Sequence, residues 1–333
     1  MIIRPGALGD LIVTTPVMDA IRREYGDHVL FDWVCKPGPG SIFANDPRVN
    51  RVFPLEHKRF PRRISSAKQR IVSASRKAPY DMVINFEIAK QLHDLMHGIH
   101  ARRKLGAPFN FPAIRQRGVH IVESKIWPYA SLVSEKHLAH PAPRLFGTPF
   151  EQLQVRYGLP RRYLVINASN SHAKKQKINY RAWPQAHWKR LIEALDPEIS
   201  LVMISGPNEE KYFEQIRPFP PNTIDLTGKT PLTDLVGIID GAVAVVTTDT
   251  GPGHLASAVN TPVFALIGPT PHLETGPYRG TDNEVHILSA RLACAPCYHT
   301  PVMEACRDNI CMKQILPEQV IGTVLSWLQE KRT

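Results

Sequence analysis

The chain has 333 residues, a length that exceeds one ordinary hydrophobic core and suits two α/β domains. Its 43% hydrophobic and 8% aromatic content are ordinary for a globular protein and do not support a disordered or fibrous class. The 41 Lys and Arg residues against 30 Asp and Glu give a formal net charge of +11, which favours an anionic partner but can also serve solubility alone.

The apolar runs are short. The most apolar stretches, around residues 242–246 and 263–267, fall far below the roughly 20 residues that a membrane-spanning helix needs. The N-terminal segment meets Arg4 and a glycine-bearing turn after three residues, which leaves no room for the apolar core of a secretory signal. We therefore expect a cytosolic protein.

The first half of the chain predicts a parallel α/β sheet. Residues 1–4 are mostly apolar, residues 5–9 break the pattern, and apolar residues then recur with helical spacing, as in a strand, turn and helix. Further strands are predicted at residues 29–34, 80–86 and 102–105, with helical patterns between them. This alternation favours an open, mostly parallel sheet.

The second half repeats the pattern after a proline-marked stretch, residues 137–160, which we interpret as a linker. The predicted strands lie at residues 163–167, 201–205, near 224, 243–248 and 263–268. The predicted helices lie at residues 184–195, from about 208, from 232, from 253, and at 317–331. We predict an α/β protein with two doubly wound, Rossmann-like domains, residues 1–155 and 156–333, that face a central ligand cleft.

The turn after the first predicted strand, RPGALGD, lacks both common nucleotide-binding glycine motifs. Gly6 and Gly9 allow the backbone to approach a ligand closely, and Asp10 falls where the strand ends and the helix begins. A carboxylate at this position can cap the helix or act on a ligand, and the residue pattern leaves both interpretations open.

Several segments resemble glycosyltransferase family 9. IRPGALGDLIVTTP is similar to the opening of its bacterial heptosyltransferases, which carry a G-x-x-G-D turn with the Asp as general base. VVTTDTGPGHLASAVNTPVFALIGPT follows the family's strand, DTG-x-x-H turn, helix and GPT segment nearly residue for residue. Looser likenesses lie at INASNSHAKKQKINYRAWPQAHW, SGPNEE and DLTGKTPLTDL. The resemblance implies the GT-B fold, Asp10 as the catalytic base, and Gly6 and Gly9 beside the acceptor.

The resemblance also implies that the second domain binds a sugar nucleotide. Asp249 would lie near the donor sugar, while Thr250 and Gly251 would hold the diphosphate, for which free N–H groups at a helix N-terminus are suited. His254 either contacts the ligand or is a structural hydrogen-bonding group. The other donor-binding candidates are Gly206, Lys177 and Arg181; Lys174 and Lys175 compete with these two cations for the family's basic position.

A basic cluster, HKRFPRR, follows an apparent strand end at residues 57–63. It is either a solvated charged loop or a loop over the ligand cleft. Related enzymes use a basic loop here to hold a phosphorylated lipid acceptor, and the resemblance therefore implies acceptor contacts from Lys58, Arg59, Arg62 and Arg63.

Four of the five cysteines fall within 18 residues, with the spacing C-x2-C-x8-C-x4-C. In a cytosolic protein this spacing favours a thiolate site for structural zinc or iron over a disulfide framework. The candidate ligands are Cys294, Cys297, Cys306 and Cys311. The alternative is a set of reduced, partly buried thiols, because the family often carries a cysteine-rich stretch here, and one branch that glycosylates autotransporter proteins binds iron through it.

The resemblance predicts an inverting glycosyltransferase that moves a heptose from an ADP-heptose-type donor to an anionic lipopolysaccharide core. No cofactor is required for catalysis, because backbone dipoles and cations can meet the phosphate charge. The expected partners are the sugar nucleotide, the phosphorylated lipopolysaccharide core and, through electrostatics, the cytoplasmic face of the inner membrane. One alternative is transfer to an autotransporter-type protein. The other is nucleic-acid binding through Tyr180, Trp183 and Trp188, although the chain has no nucleic-acid-binding motif.

Overall fold

A computed structural model describes residues 1–56, 65–111, 118–169, 178–280 and 283–331. The chain divides into two compact units, Met1–Phe146 and Gly147–Thr333. In the described ranges no helix is long and apolar enough to cross a membrane.

The first unit is built around a parallel sheet with the strand order β3-β2-β1-β4-β5. Its strands are β1 (Ile2–Ile3), β2 (Phe31–Cys35), β3 (Val49–Pro54), β4 (Tyr80–Asn85) and β5 (Ala101–Gly106). Its helices are α1 (Leu8–Ile12), α2 (Pro16–Tyr25), α3 (Ser66–Lys77), α4 (His93–Gly98), α5 (Ile121–Ser124) and α6 (Glu135–Leu138), with short 3-10 turns at Pro39–Phe43, Lys90–Leu92 and Ala130–Leu132. The strand order reverses at β1, which lies between β2 and β4. A doubly wound sheet binds ligands at such a reversal.

The second unit has a parallel sheet with the order β8-β7-β6-β9-β10-β11, the doubly wound order of a Rossmann domain. Its strands are β6 (Tyr163–Asn167), β7 (Ser200–Ser205), β8 (Thr223–Thr227), β9 (Ala244–Thr248), β10 (Val263–Leu266) and β11 (Val285–Leu288). Its helices are α7 (Phe150–Tyr157), α8 (Gln185–Leu195), α9 (Leu232–Asp240), α10 (Gly251–Ala258), α11 (His272–Thr275), α12 (Pro301–Ala305), α13 (Ile310–Lys313) and α14 (Pro317–Glu330). A 3-10 turn lies at Glu210–Phe213.

Several inner strands of both sheets are buried along their whole length. Every residue of β1, β6, β9 and β10 is buried, as expected where helices cover both faces of a parallel sheet. In the second unit, α8 and α14 pack together over one face. Trp183 and Trp188 lie in this core with no exposed surface, and their rings meet edge to face at 4.9 Å. The predicted base-stacking surface is therefore wrong, because two of its three aromatic rings are inaccessible.

The segment after Phe146 belongs with the second unit because it packs tightly against α9. An added Cβ at Gly237 would lie 2.1 Å from the Thr148 carbonyl oxygen, and one at Gly147 would lie 2.3 Å from the Gly237 nitrogen. The predicted division after residue 155 falls inside α7, which follows this contact and packs on α9.

Two local predictions differ from the structure. The helix expected from about residue 208 is only the 3-10 turn Glu210–Phe213, and Asn208 at its expected start has a left-handed backbone conformation (φ 62°) that a right-handed helix cannot include. Strand β11 was not predicted, and β3 was implied only as an apparent strand end before residue 57, without bounds. Both lie at sheet edges, where β3 is only half-buried and its residues lack a continuous apolar run.

Candidate active site

Asp10 lies in the turn and helix just beyond β1, the strand at which the strand order of the first unit reverses. Its Oδ1 accepts a 2.5 Å hydrogen bond from Nη2 of Arg4, and its Oδ2 accepts one of 2.9 Å from the backbone N–H of Ala7. The second bond caps α1, because Ala7 is the residue before the helix and Asp10 is its third residue. The Asp10 side chain is still 36% exposed, and each oxygen keeps a free lone pair. Capping therefore leaves the carboxylate accessible to a ligand.

Arg4 is a buried cation that sequence analysis missed. Its Nη1 donates to the Phe86 carbonyl oxygen at 3.3 Å and lies 3.5 Å from Oε2 of Glu87. Two residues just beyond β4 thus fix the guanidinium that orients Asp10. The chemical signal was an arginine at the end of an apolar strand, since such a residue is buried only when it is paired.

Gly6 and Gly9 have different local surroundings. A Cβ on Gly6 would lie 2.4 Å from Cβ of Asp10 and 2.6 Å from its Oδ2, so the Asp10 side chain occupies the space that any larger residue needs. Gly9 lies inside α1, and its carbonyl accepts the N–H of Val13 at 3.0 Å. Position 6 therefore needs glycine because of its contact with Asp10 within the protein.

In the second unit, polar residues gather at the carboxyl ends of β6 and β9, the two parallel strands between which the strand order reverses. Nδ2 of Asn167 lies 3.1 Å from Oγ1 of both Thr247 and Thr250, and these hydroxyls are 3.0 Å apart. Thr250 precedes α10, which begins at Gly251. The buried amide therefore fixes a strand-to-helix turn whose first helical N–H groups have no acceptor within the helix.

Arg181 approaches the same turn from the loop before α8. Its Nη1 donates to the Asp249 carbonyl oxygen at 3.1 Å and lies 3.3 Å from Oδ2 of the Asp249 side chain. Asp249 is buried, so the cation balances a carboxylate that would otherwise repel an anion. The structure thus brings together Arg181, Asp249, Thr250 and Gly251.

Gly206 lies at the end of the neighbouring strand β7. Its N–H donates to Oε2 of Glu209 at 3.1 Å, and the same oxygen accepts the hydroxyl of Ser169 at 2.7 Å. Glu209 and Ser169 thereby join the strand ends of β6 and β7. Neither was predicted individually, although both fall in segments that carry the family resemblance.

Among the remaining donor and acceptor candidates, only His254 lies within the described residues. His254 is half-buried in the first turns of α10. Lys177 lies outside the described residues, and so does the whole basic cluster with Lys58, Arg59, Arg62 and Arg63.

The four clustered cysteines line one cavity of about 450 Å³, together with Tyr180, Pro269 and mainly apolar side chains. Burial raises the pKa of the Cys311 thiol to about 11, and burial with the nearby Cys294 and Cys306 raises that of Cys297. These thiols are therefore protonated at neutral pH. Within the described ranges no three Cys, His, Asp or Glu side chains are grouped closely enough to hold a metal ion.

Comparisons with known proteins agree with this architecture. Glycosyltransferase family 9 (heptosyltransferase) matches residues 97–306. Lipopolysaccharide heptosyltransferase 1 of Pseudomonas aeruginosa is 28% identical over 322 residues, which cover 89% of this chain and 85% of that protein.

Two solved structures share the fold. The Escherichia coli ADP-heptose LPS heptosyltransferase II has a TM-score of 0.77 and 18% identity, with 100% of this chain and 99% of that chain covered. The iron-containing dodecameric glycosyltransferase TibC from enterotoxigenic E. coli has a TM-score of 0.59 and 16% identity, with 99% of this chain and 77% of that chain covered. The fold is thus GT-B. The family match spans most of the chain, so this protein belongs to glycosyltransferase family 9 and is a glycosyltransferase.

Proposed function

We propose that this enzyme transfers a heptose, with inversion, from an ADP-heptose-type donor to an anionic lipopolysaccharide core acceptor. The observation that carries the proposal is the polar turn between β9 and α10, with Arg181 beside it. The names of relatives that act on lipopolysaccharide, and of a structural neighbour that uses ADP-heptose, support the same substrates.

The donor diphosphate binds at the N-terminus of α10. Thr250 and Gly251 offer backbone N–H groups, and the helix dipole favours negative charge there. Arg181 adds a cation, while Asp249 lies near the donor sugar. Gly206, His254 and Lys177 complete the proposed donor set.

The first unit supplies the base and the acceptor contacts. Asp10 removes the proton from an acceptor hydroxyl, and that oxygen attacks the anomeric carbon as the bond to the diphosphate breaks. The departing charge is stabilised by Arg181 and the α10 N-terminus. Gly6 and Gly9 lie beside the acceptor, and Lys58, Arg59, Arg62 and Arg63 hold its phosphates. No step needs a metal ion.

A panel of nucleotide sugars, with sugar transfer and ADP binding measured separately, tests this proposal. We expect Asp10→Asn to lower kcat by about 10²–10⁴-fold, because Asn can still cap α1 but cannot take a proton. The Kd for ADP stays unchanged. Full activity of Asp10→Asn would show that Asp10 only caps α1. Cleavage of a different nucleotide sugar would contradict the proposed ADP-heptose-type donor. Transfer to a protein but not to lipopolysaccharide core would favour the autotransporter-type alternative.

We also propose that the cysteine cavity holds one structural zinc or iron ion. The shared cavity and the iron-containing neighbour TibC support this idea, although the four thiols would have to draw closer around the ion. Because the raised thiol pKa values make metal compete with protons, metal affinity should rise from pH 6 to pH 8. Elemental analysis should find close to one ion per chain, and Cys297→Ser should lose it along with thermal stability. Metal-free protein with unchanged melting would refute the site.

The net charge of +11 supports a location at the cytoplasmic face of the inner membrane, where anionic lipids attract basic proteins.

A further inference from the structure

The cysteine-rich segment, residues 294–311, also contacts the donor side of the molecule. The residue that links them is Arg181, whose guanidinium lies over the ring of Tyr298 at 4.4 Å from the centroid. The same guanidinium donates to the Asp249 carbonyl oxygen at the start of the β9–α10 turn. One arginine thus joins the cysteine-rich segment to the proposed diphosphate site.

The backbone around Arg181 is held by the same segment. Nδ2 of Asn309 donates to the carbonyl oxygens of Asn179 and Ala182 at 3.2 and 3.0 Å. The hydroxyl of Tyr180 donates to the Cys306 carbonyl oxygen at 3.2 Å. The turn at residues 179–182 is therefore fixed by side-chain contacts on both sides of Arg181.

The segment itself is fastened to the strand end of β10. The backbone N–H groups of Cys297 and Tyr298 both donate to the Pro269 carbonyl oxygen at 2.9 Å. A Cβ on Gly268 would lie 2.5 Å from Sδ of Met312, so the chain packs there without room for a side chain. Tyr298 is thus placed by the sheet rather than by a free loop.

Stacking on an aromatic ring orients a guanidinium without using its hydrogen-bond donors, because the N–H groups lie in the plane of the group. Nε of Arg181 is buried and has no hydrogen-bond partner among the described residues. The Arg181 side chain is nevertheless 18% exposed, so the guanidinium is not closed off from an anionic ligand while it lies over Tyr298.

We propose that Tyr298 is a positioning residue, which holds Arg181 in place for the diphosphate of the donor, with Asn309 fixing the backbone beneath it. This inference rests on the proposed function. It assigns to the cysteine-rich segment a role in donor affinity that is separate from metal binding.

The test compares the affinities of ADP and AMP by calorimetry, since AMP lacks the second phosphate. Tyr298→Leu is expected to weaken ADP binding by about 3- to 30-fold, the range of a cation–π contact, and to weaken AMP binding less. Tyr298→Phe keeps the ring and should keep wild-type affinity. Asn309→Ala should shift the ADP-to-AMP ratio in the same direction as Tyr298→Leu.

Phe219→Leu is the matched control, because the ring of Phe219 makes a comparable contact, 5.4 Å from the guanidinium of Arg217, beside the edge strand β8. It should lower the melting temperature without changing the ADP-to-AMP ratio. An unchanged ratio in Tyr298→Leu, with ADP still bound by the wild type, would overturn the positioning role and leave the proposed function standing. Failure of the wild type to bind any nucleoside diphosphate would overturn the proposed function itself.

Discussion

The geometry of Asp10 is compatible with both roles that the sequence presents as alternatives, helix cap and proposed base. The carboxylate accepts the Ala7 N–H that begins α1, and it also faces Arg4 with more than a third of its surface open. Capping fixes the rotamer of the side chain, and a fixed rotamer suits a base that must meet one hydroxyl. The helix cap therefore supports the proposed chemistry rather than competing with it.

Gly6→Ala tests whether the placement of Asp10 matters. The added methyl group would occupy the position of the carboxylate and displace it from Ala7 and Arg4. We expect kcat to fall by about 10- to 100-fold, since a displacement of about 1 Å can cost 10²-fold, while ADP affinity stays the same. Steady-state kinetics and ADP calorimetry measure the two effects.

Gly322→Ala is the control for that substitution. Gly322 is exposed in α14, and a Cβ there would meet nothing within 4 Å. The change should raise stability slightly, because alanine is the better helix former, and should leave kcat unaltered. If Gly6→Ala were as active as Gly322→Ala, the contact between Gly6 and Asp10 would have no bearing on turnover.

Single residues were predictable where a motif names them and unpredictable where only the tertiary structure brings them together. Asp249, Thr250 and Gly251 stand in one contiguous turn, so the sequence could place them together. Arg4, Tyr298 and Glu209 act on partners up to 117 positions away, as between Arg181 and Tyr298. No local pattern encodes such a contact.

At the scale of elements, strands that are buried on both faces were found easily. β6 and β9 begin with unbroken apolar runs, YLVI and AVV, and their parallel pairing follows from the intervening helices. The half-buried β3 lacks such a run, and its place in the sheet depends on pairing with β2. Periodicity thus predicted the middle of each sheet better than its edges.

The junction of α7 with α9 depends on one buried carboxylate. Asp234 accepts hydrogen bonds from Thr148 at 2.7 Å, Arg156 at 2.5 Å and Tyr157 at 2.7 Å. Burial by itself would raise the pKa of Asp234, but these three donors together hold it below its usual value. The ionised form is therefore stabilised in the folded state.

Asp234→Asn should lower the melting temperature by about 2–5 °C at pH 7, because the charged partner of three donors is lost. Because the pKa of Asp234 is lower in the folded state than in the unfolded state, its ionised carboxylate stabilises the fold at pH values above the unfolded pKa. This stabilisation disappears as the pH falls through the folded pKa. The difference between wild type and variant should therefore shrink below about pH 4. Asp240→Asn, at the exposed end of the same helix, should not lower melting. A difference that persisted at pH 3 would assign the effect to packing instead of charge.

At the scale of the molecule, the two Rossmann-like sheets were predictable because α/β alternation is a long-range, repeated signal. The predicted division after residue 155 differs by nine residues from the boundary of the compact units after Phe146, where the close approach of Gly147 and Gly237 is invisible to periodicity. The net charge was equally visible, but composition cannot say where on the surface it acts.

We expect the basic charge to act locally, at the cluster of residues 57–63. Arg62→Glu with Arg63→Glu should weaken binding of a phosphorylated core acceptor, because these cations belong to the proposed acceptor loop, and the effect should shrink as salt rises towards 1 M, where the screening length is about 3 Å. ADP binding should not change. Arg102→Glu with Arg103→Glu, at two exposed positions of β5, is the matched control, since each double reversal lowers the net charge of +11 by four. Equal losses of acceptor affinity in both variants at low salt would show that the electrostatic field of the whole protein attracts the acceptor. The cluster at residues 57–63 would then be a solvated surface loop.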